Sequence, residues 1–211
     1  MKFLDPIEAR LVATNAVDEP KLARIIRLSY GKNDEPSDLE RDRATIRNCF
    51  NAGHMSVFEF VDATFAVQCP IFVARQIMRY RCASYLERSL RRCEPLPFPT
   101  PSLYEYAYGC KVKFYKWIVA MSELYDAAIK ADVLREDARA CLPLGSTTQF
   151  FMKTNLREWY HIFDERLGVA AQKETRWLVQ KIKDELAEVF PFYIQLYDSR
   201  DPAGRGLGDS N

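Results

Sequence analysis

The chain has 211 residues, 48% of them hydrophobic, with 30 basic and 29 acidic side chains and a net charge of +1. That length suits a single domain with a core large enough to stand without staples. A balance this close to zero excludes the global field that would draw the protein onto nucleic acid or an anionic membrane, and no apolar run reaches the roughly 20 residues of a membrane-crossing helix.

Residues 17–47 carry a helical pattern with polar interruptions, and "DEPSDLERDRATIRNCF" puts Pro36 near a helix start with a charged first turn. The period then changes. In "VDATFAVQC", Val61, Ala63, Phe65, Val67 and Cys69 alternate with Asp62, Thr64, Ala66 and Gln68, which predicts a strand with one buried face. Pro70 closes it and opens a helix, "IFVARQIMRY", on which Gln76 and Arg79 share a face. "PLPFPTPSLYEY" has a proline at every second residue from Pro95 to Pro101 and reads as a rigid surface connection. Helices are expected at about 110–130 and 134–141, then a break at Pro143 and Gly145, then a helix over about 147–165. A last long helix starts near Ala170, with Leu178, Ile182, Leu186 and Val189 as its apolar stripe.

The expected class is α+β, helices packed around a small, mainly antiparallel sheet. The domain is expected to span 1–198, with a flexible glycine-rich tail over 199–211. GxGxxG and GxxxxGK[ST] are both missing, which removes the ordinary dinucleotide and P-loop sites. Six cysteines (Cys49, Cys69, Cys82, Cys93, Cys110 and Cys141) form no CxxC pair, and His54 and His161 are the two histidines, so no metal centre is expected. No secretory leader is visible in Met1–Arg10, and reduced thiols in a cytosol are the expectation.

Chemistry concentrates in "RYRCASYLERSLRR", Arg79 to Arg92, which holds five arginines and no lysine. Guanidinium groups recognise phosphate through planar, bidentate forks and stay charged at any working pH. Arg79, Arg81, Arg88, Arg91 and Arg92 cannot all point one way, so either two anionic targets or ion pairs, with Glu87 among others, must account for them. Ser89 has no neighbouring histidine to activate it and reads as a hydrogen-bond donor to a bound group. Cys82 reads either as a thiol of lowered pKa or as a small buried hydrophobe. Asn155 and Arg157 can converge on one ligand, whereas His161 lies further along. Arg139 and Arg166 sit in apolar helical segments and need an anion or carbonyls there.

Arg-x-Arg, seven residues, then Ser resembles the RHRx7S signature of the flavin-dependent thymidylate synthases. "GHMSVFEFVDATFAVQCPIFVARQIMRYR" upstream and "ARACLPLGSTTQFFMKTNLREWYHIFDERLGVAAQKETRWL" downstream resemble that family's flanking blocks, and "RLSYG" resembles an early motif. The resemblance implies that family's α+β fold in a cytoplasmic homotetramer with sites shared between subunits. It implies FAD-dependent reductive methylation of dUMP to dTMP, with methylenetetrahydrofolate supplying the carbon and NADPH the electrons. A paralogue modifying C5 of another pyrimidine nucleotide, by methylation of UMP or dCMP or by hydroxymethylation, is the alternative. By resemblance, FAD would meet Ser29, His54, Ser56, Arg79, Tyr80, Arg81, Glu87, Asn155, Arg157 and His161. The nucleotide would be held by Gln76, Arg79, Glu87, Arg88, Ser89, Leu90, Arg91, Arg139 and Arg166. Arg166 would promote ionisation at N3 of the uracil, and Ser89 would orient the nucleotide. The chain departs from the pattern at Tyr80, where the signature has His, and at Phe60, Leu86, Arg92 and Ala170.

Overall fold

A computed structural model of the chain describes residues 3–4, 7–99 and 111–200. Six strands are assigned among them: β1 (Phe3–Leu4), β2 (Glu8–Thr14), β3 (Asp62–Pro70), β4 (Ala83–Glu87), β5 (Phe98–Pro99) and β6 (Thr147–Asn155). The helices are α1 (Glu19–Leu28), α2 (Leu39–Asn51), α3 (Ile71–Ile77), α4 (Lys111–Lys130), α5 (Arg135–Ala138), α6 (Leu156–Arg166), α7 (Lys173–Val189) and α8 (Pro191–Asp198). Short 3-10 turns at Met55–Phe60 and Arg139–Cys141 complete the path.

β3 is the strand that the alternation predicts, with Ala63, Phe65, Val67 and Cys69 all at most 2% exposed. It lies inside a four-stranded antiparallel sheet of order β2-β3-β6-β4. Facing positions of β3 and β6 pair Phe65 with Met152 and Val67 with Phe150, so two apolar rows meet on one face. β2 pairs with the other edge of β3, its register shifting between Leu11 and Ala13.

The expected helix over 147–165 is corrected. Thr147–Asn155 is the strand β6, and the helix begins only at Leu156. "TTQFFMKTN" is β-branched and aromatic, and Phe150, Met152 and Thr154 turn inward while Phe151 and Lys153 turn out. Asn155 marks the switch, because its side-chain oxygen accepts from the Glu158 amide at 3.0 Å and starts α6. Three further boundaries move. α1 and α2 are separate helices, each started by an aspartate, Asp18 or Asp38, that accepts from the amide three residues on. α3 stops at Ile77 rather than running through Tyr80. The stripe of α7 ends at Leu186, because Val189 is 45% exposed. Most of the proline-rich connection and nearly all of the tail lie outside the described residues, as does Cys110.

One buried cluster runs from Ile7 to Leu196. Leu178, Val179, Ile182 and Leu186 of α7 and Trp159, Ile162 and Phe163 of α6 enter it beside the inner face of the sheet. Trp159 meets Phe65 edge-on at 5.3 Å. Burying side chains of this size stabilises the contact by about 1.5–3 kcal/mol each. The consequence for function is geometric: α6 is fixed at its start by the β6 junction and along its length by the core, so its last turn has a defined position.

Candidate active site

Polar side chains gather at both ends of β4. Before the strand, α3 ends and the chain turns, with the Tyr80 amide donating to the Ile77 carbonyl at 3.2 Å. The turn sends Tyr80 inward, where it is 6% exposed, and leaves Arg79 and Arg81 exposed on either side. The Tyr80 ring packs edge-on against His161 at 5.7 Å. Its hydroxyl donates to Glu165 Oε2 and accepts from Arg166 Nε, each at 2.7 Å. His161, Glu165 and Arg166 all come from the second half of α6, where a cation is favoured by the helix dipole. Burial first, then the hydrogen bond to Glu165, raises the Tyr80 pKa, although Arg166 opposes both, and the phenol is neutral at working pH. Tyr85, whose hydroxyl donates towards the Ile77 and Tyr80 carbonyls, secures the same turn.

Gln76 is held alongside. Its amide donates to Gln172 Oε1 at 2.6 Å and its oxygen accepts from Thr175 Oγ1 at 3.1 Å, which ties α3 to the start of α7.

A second group forms beyond the other end of the strand. Glu87 accepts from Thr148 Oγ1 at 2.8 Å, and the Arg88 amide continues the ladder to the Gln149 carbonyl at 2.9 Å. The Ser89 carbonyl then accepts from the Arg92 and Cys93 amides and curls the chain into a loop that exposes Ser89 and leaves Leu90 half-buried. Arg91 donates through Nε to Glu136 Oε2 at 2.8 Å, and Arg139 donates to the carbonyl of the same Glu136 at 3.1 Å. Arg88 reaches the Glu94 carbonyl at 3.3 Å. Glu87 and Arg88 also line a cleft of about 700 Å³ on the open face of the sheet, with Arg10, Gln68, Leu86 and Phe151. Leu86, 71% exposed, is one of the departures from the family pattern.

The remaining positions lie around the start of α6. Arg157 donates to Glu59 Oε1 at 2.5 Å, in the 3-10 turn that carries Ser56 and follows His54. His54 and Ser56 are exposed, and Gly53 before them has φ +72°, a conformation that favours glycine. Ser29 turns its hydroxyl back onto the Ile26 carbonyl at the end of α1. Asn155 is engaged as the helix cap described above.

The chain thus unites Tyr80, His161 and Arg166 in one cluster and Arg91 with Arg139 in another. No hydrogen bond or ion pair joins the two clusters among the described residues; they lie at opposite ends of the five-residue strand β4, which is about 17 Å long at strand rise. Sequence reasoning missed the acids that organise each group, Glu165 and Glu136. Their signals were present as spacing: Glu165 lies four residues after His161 on α6, and Glu136 three before Arg139. Cys82 is exposed, contrary to its reading as a buried hydrophobe.

The family described as "Thymidylate synthase complementing protein" matches residues 10–192. A flavin-dependent thymidylate synthase of Pseudothermotoga lettingae is 35% identical over 184 residues, covering 82% of this chain and 80% of the relative. One from Synechocystis sp. is 31% identical over 189 residues, covering 82% and 86%. Among solved structures, a UMP/dUMP methylase from Streptomyces cacaoi, bound with 5-bromo-dUMP, superposes with a TM-score of 0.81 at 23% identity, covering 94% of this chain and 97% of the other, which establishes the shared fold. The ordered motifs around β3, β4 and α6, the antiparallel sheet and these matches agree: the chain belongs to the flavin-dependent thymidylate synthase family of enzymes.

Proposed function

We propose that this enzyme methylates C5 of a uridine monophosphate, converting dUMP to dTMP with FAD, methylenetetrahydrofolate as carbon donor and NADPH as reductant. The observation that carries the reading is Arg166. Its guanidinium is hydrogen-bonded through Nε, its side chain is one-quarter exposed, and neither Nη makes a hydrogen bond to a described residue, although Nη2 stands 3.9 Å from Glu165 Oε2. A cation whose outer nitrogens make no hydrogen bond to a described residue can meet the carbonyl edge of a uracil and stabilise negative charge on the ring, which raises electron density at C5. Gln76 adds an amide fixed by Gln172 and Thr175. Arg91, Arg139 and the Ser89 hydroxyl form a donor set suited to a monophosphate.

The donor chemistry fits a flavin dinucleotide. Arg79 and Arg81 are exposed and have no side-chain hydrogen bond or ion pair among the described residues, so their forks are available to a pyrophosphate. Exposed His54 and Ser56 add donors, Arg157 is bonded to Glu59 of the turn that carries Ser56, and His161 packs on Tyr80. When bound, the flavin supplies the hydride equivalent that turns a one-carbon bridge into a methyl group. The chain's own residues position the two anions and hold charge at the pyrimidine.

Because β4 separates the two nucleotide-facing clusters, a complete pocket is assembled when Gln76, Arg79 and Arg166 of one subunit face Glu87, Ser89, Arg91 and Arg139 of another. This reading requires at least two subunits, and the homotetramer with shared sites implied by the family resemblance would supply them. A second reading, with UMP as the substrate, is supported by the structural neighbour, which is a UMP/dUMP methylase.

The test is product mass after incubation with FAD, NADPH, methylenetetrahydrofolate and either dUMP or UMP. A gain of one methyl group on dUMP supports the first reading, and a gain on UMP alone transfers it to the second. A protein that binds flavin and alters neither nucleotide refutes both.

A further inference from the structure

We propose that Tyr80 is a positioning residue that, with Glu165, clamps Arg166 in the orientation it needs to meet the pyrimidine. The inference rests on the function proposed above and adds a role that sequence resemblance assigned instead to flavin contact.

Donor and acceptor chemistry leaves one arrangement. A phenol has one proton and two lone pairs, guanidinium nitrogens only donate, and a carboxylate only accepts. With Glu165 Oε2 and Arg166 Nε each 2.7 Å from the Tyr80 oxygen, the proton must point to Glu165 and a lone pair to Arg166. Glu165 makes no hydrogen bond to Arg166 itself: their nearest approach is 3.9 Å, an ion-pair contact outside hydrogen-bond range. The Arg166 carbon centre lies 5.4 Å from the Tyr80 ring centroid, within cation–π reach, so the guanidinium is held by both the hydroxyl and the ring. His161 stands beside the carboxylate, its Nε2 3.6 Å from Glu165 Oε1, beyond hydrogen-bond range.

Rigidity on the phenol side supports the role. Tyr80 is 6% exposed, and Tyr85 fixes the backbone of the turn through the Ile77 and Tyr80 carbonyls. Arg166, by contrast, ends a helix and has one-quarter of its side chain in solvent. Without the phenol, that long side chain would sample several rotamers and bind its ligand only in one of them. The hydroxyl, satisfied on both sides within the chain, has no proton left for a cofactor.

The test uses flavin-loaded protein labelled with 15N-arginine. The Arg166 Nε–H resonance is identified by its loss in Arg166→Lys. It is expected to exchange slowly in the parent protein and to disappear into rapid exchange in Tyr80→Phe, which keeps the ring and the packing. Binding of dUMP and of UMP, followed by titration, is expected to weaken about tenfold in Tyr80→Phe, while FAD affinity stays unchanged. In an Arg166→Ala background the same Tyr80→Phe change should alter nucleotide affinity less than about twofold, because Tyr80 acts through Arg166. Glu165→Gln, at a half-exposed position, supplies a milder second variant should Tyr80→Phe fold poorly, with exchange of the same Nε–H expected to quicken. A resonance unchanged in either variant overturns the clamp. Equal tenfold losses in both arginine backgrounds, or a loss of FAD affinity in place of nucleotide affinity, overturn the positioning role. A parent protein that binds neither nucleotide overturns the proposed function, while the exchange experiment still decides whether the clamp exists.

Discussion

Replacing Asp42 by asparagine should destabilise the protein far more than a single hydrogen bond would suggest. Asp42 in α2 and Arg27 in α1 form an ion pair at 2.5 Å, with only 5% and 11% of their side chains exposed. Among the described residues Arg27 has one further partner, Ser37 Oγ at 3.2 Å, and its Nε is buried without a partner there. Asp42→Asn keeps the size and one acceptor but removes the charge, leaving a guanidinium that is nine-tenths out of water. Breaking one side of such a pair costs about 3–5 kcal/mol, and the retained acceptor puts this case near the lower end. At about 2–4 °C per kcal/mol for a chain of this size, a loss of 3 kcal/mol lowers the melting temperature by about 6–12 °C. The double variant Arg27→Met/Asp42→Leu should return to within about 2 kcal/mol of the parent, since an apolar pair of similar volume carries no desolvation cost. Urea unfolding of the parent, both single variants and the double variant completes a thermodynamic cycle. The reasoning fails if Asp42→Asn costs less than about 1 kcal/mol, or if the double variant is as unstable as the worse single. Flavin titration on the same proteins reports function, because the pair joins the helix ending at Ser29 to the helix leading to His54.

Arg166→Ala should lower turnover at saturating nucleotide about 10²–10³-fold, the usual loss when a donor to developing charge is removed. Its unfolding free energy should fall by only about 1 kcal/mol, because Tyr80 keeps its bond to Glu165; normal turnover would remove Arg166 from the chemistry. Arg91→Ala and Arg139→Ala should each raise the nucleotide KM while leaving stability within about 1 kcal/mol, since their bonds to Glu136 are exposed. Unchanged KM in both would place the phosphate elsewhere. Alkaline pH should unfold the protein through its tyrosines. Burial is the first cause that raises the pKa of Tyr80, Tyr85, Tyr160 and Tyr193 above that of an ordinary phenol. The folded state therefore keeps protons that the unfolded state releases above about pH 10, so the stabilisation is complete below that pH and is lost as pH climbs towards the folded-state values. Tyrosinate absorbance from these four should rise together with loss of structure; titration near pH 10 in the intact fold would contradict it.

Short-range signals in the sequence were enough for β3, for α4 and for the guanidinium-rich stretch, because each is written in neighbouring residues. Alternation sets a strand's buried face, and an Arg-x-Arg spacing needs no folding to be seen. β6 was not legible in the same way. Its nine residues lead directly into a helix without a proline or glycine between, so an inward row of Phe150, Met152 and Thr154 became visible only once β3 and β4 had paired on either side of it. β2 and β4 were missed for a related reason: short strands draw their stability from partners distant in sequence.

The site divides along the same line. The chain's order of residues determined which side chains carry charge and which family they belong to, since those properties reside in the residues themselves. Only the tertiary structure decided that Tyr80 faces Glu165 and Arg166, that Glu136 joins Arg91 to Arg139, and that β4 holds these groups apart. The Tyr80–Glu165 and Arg91–Glu136 bonds close across 85 and 45 residues of chain. A hydrogen bond depends on position and direction in space, and residues that distant acquire both only when the sheet and the helices packed on it have formed.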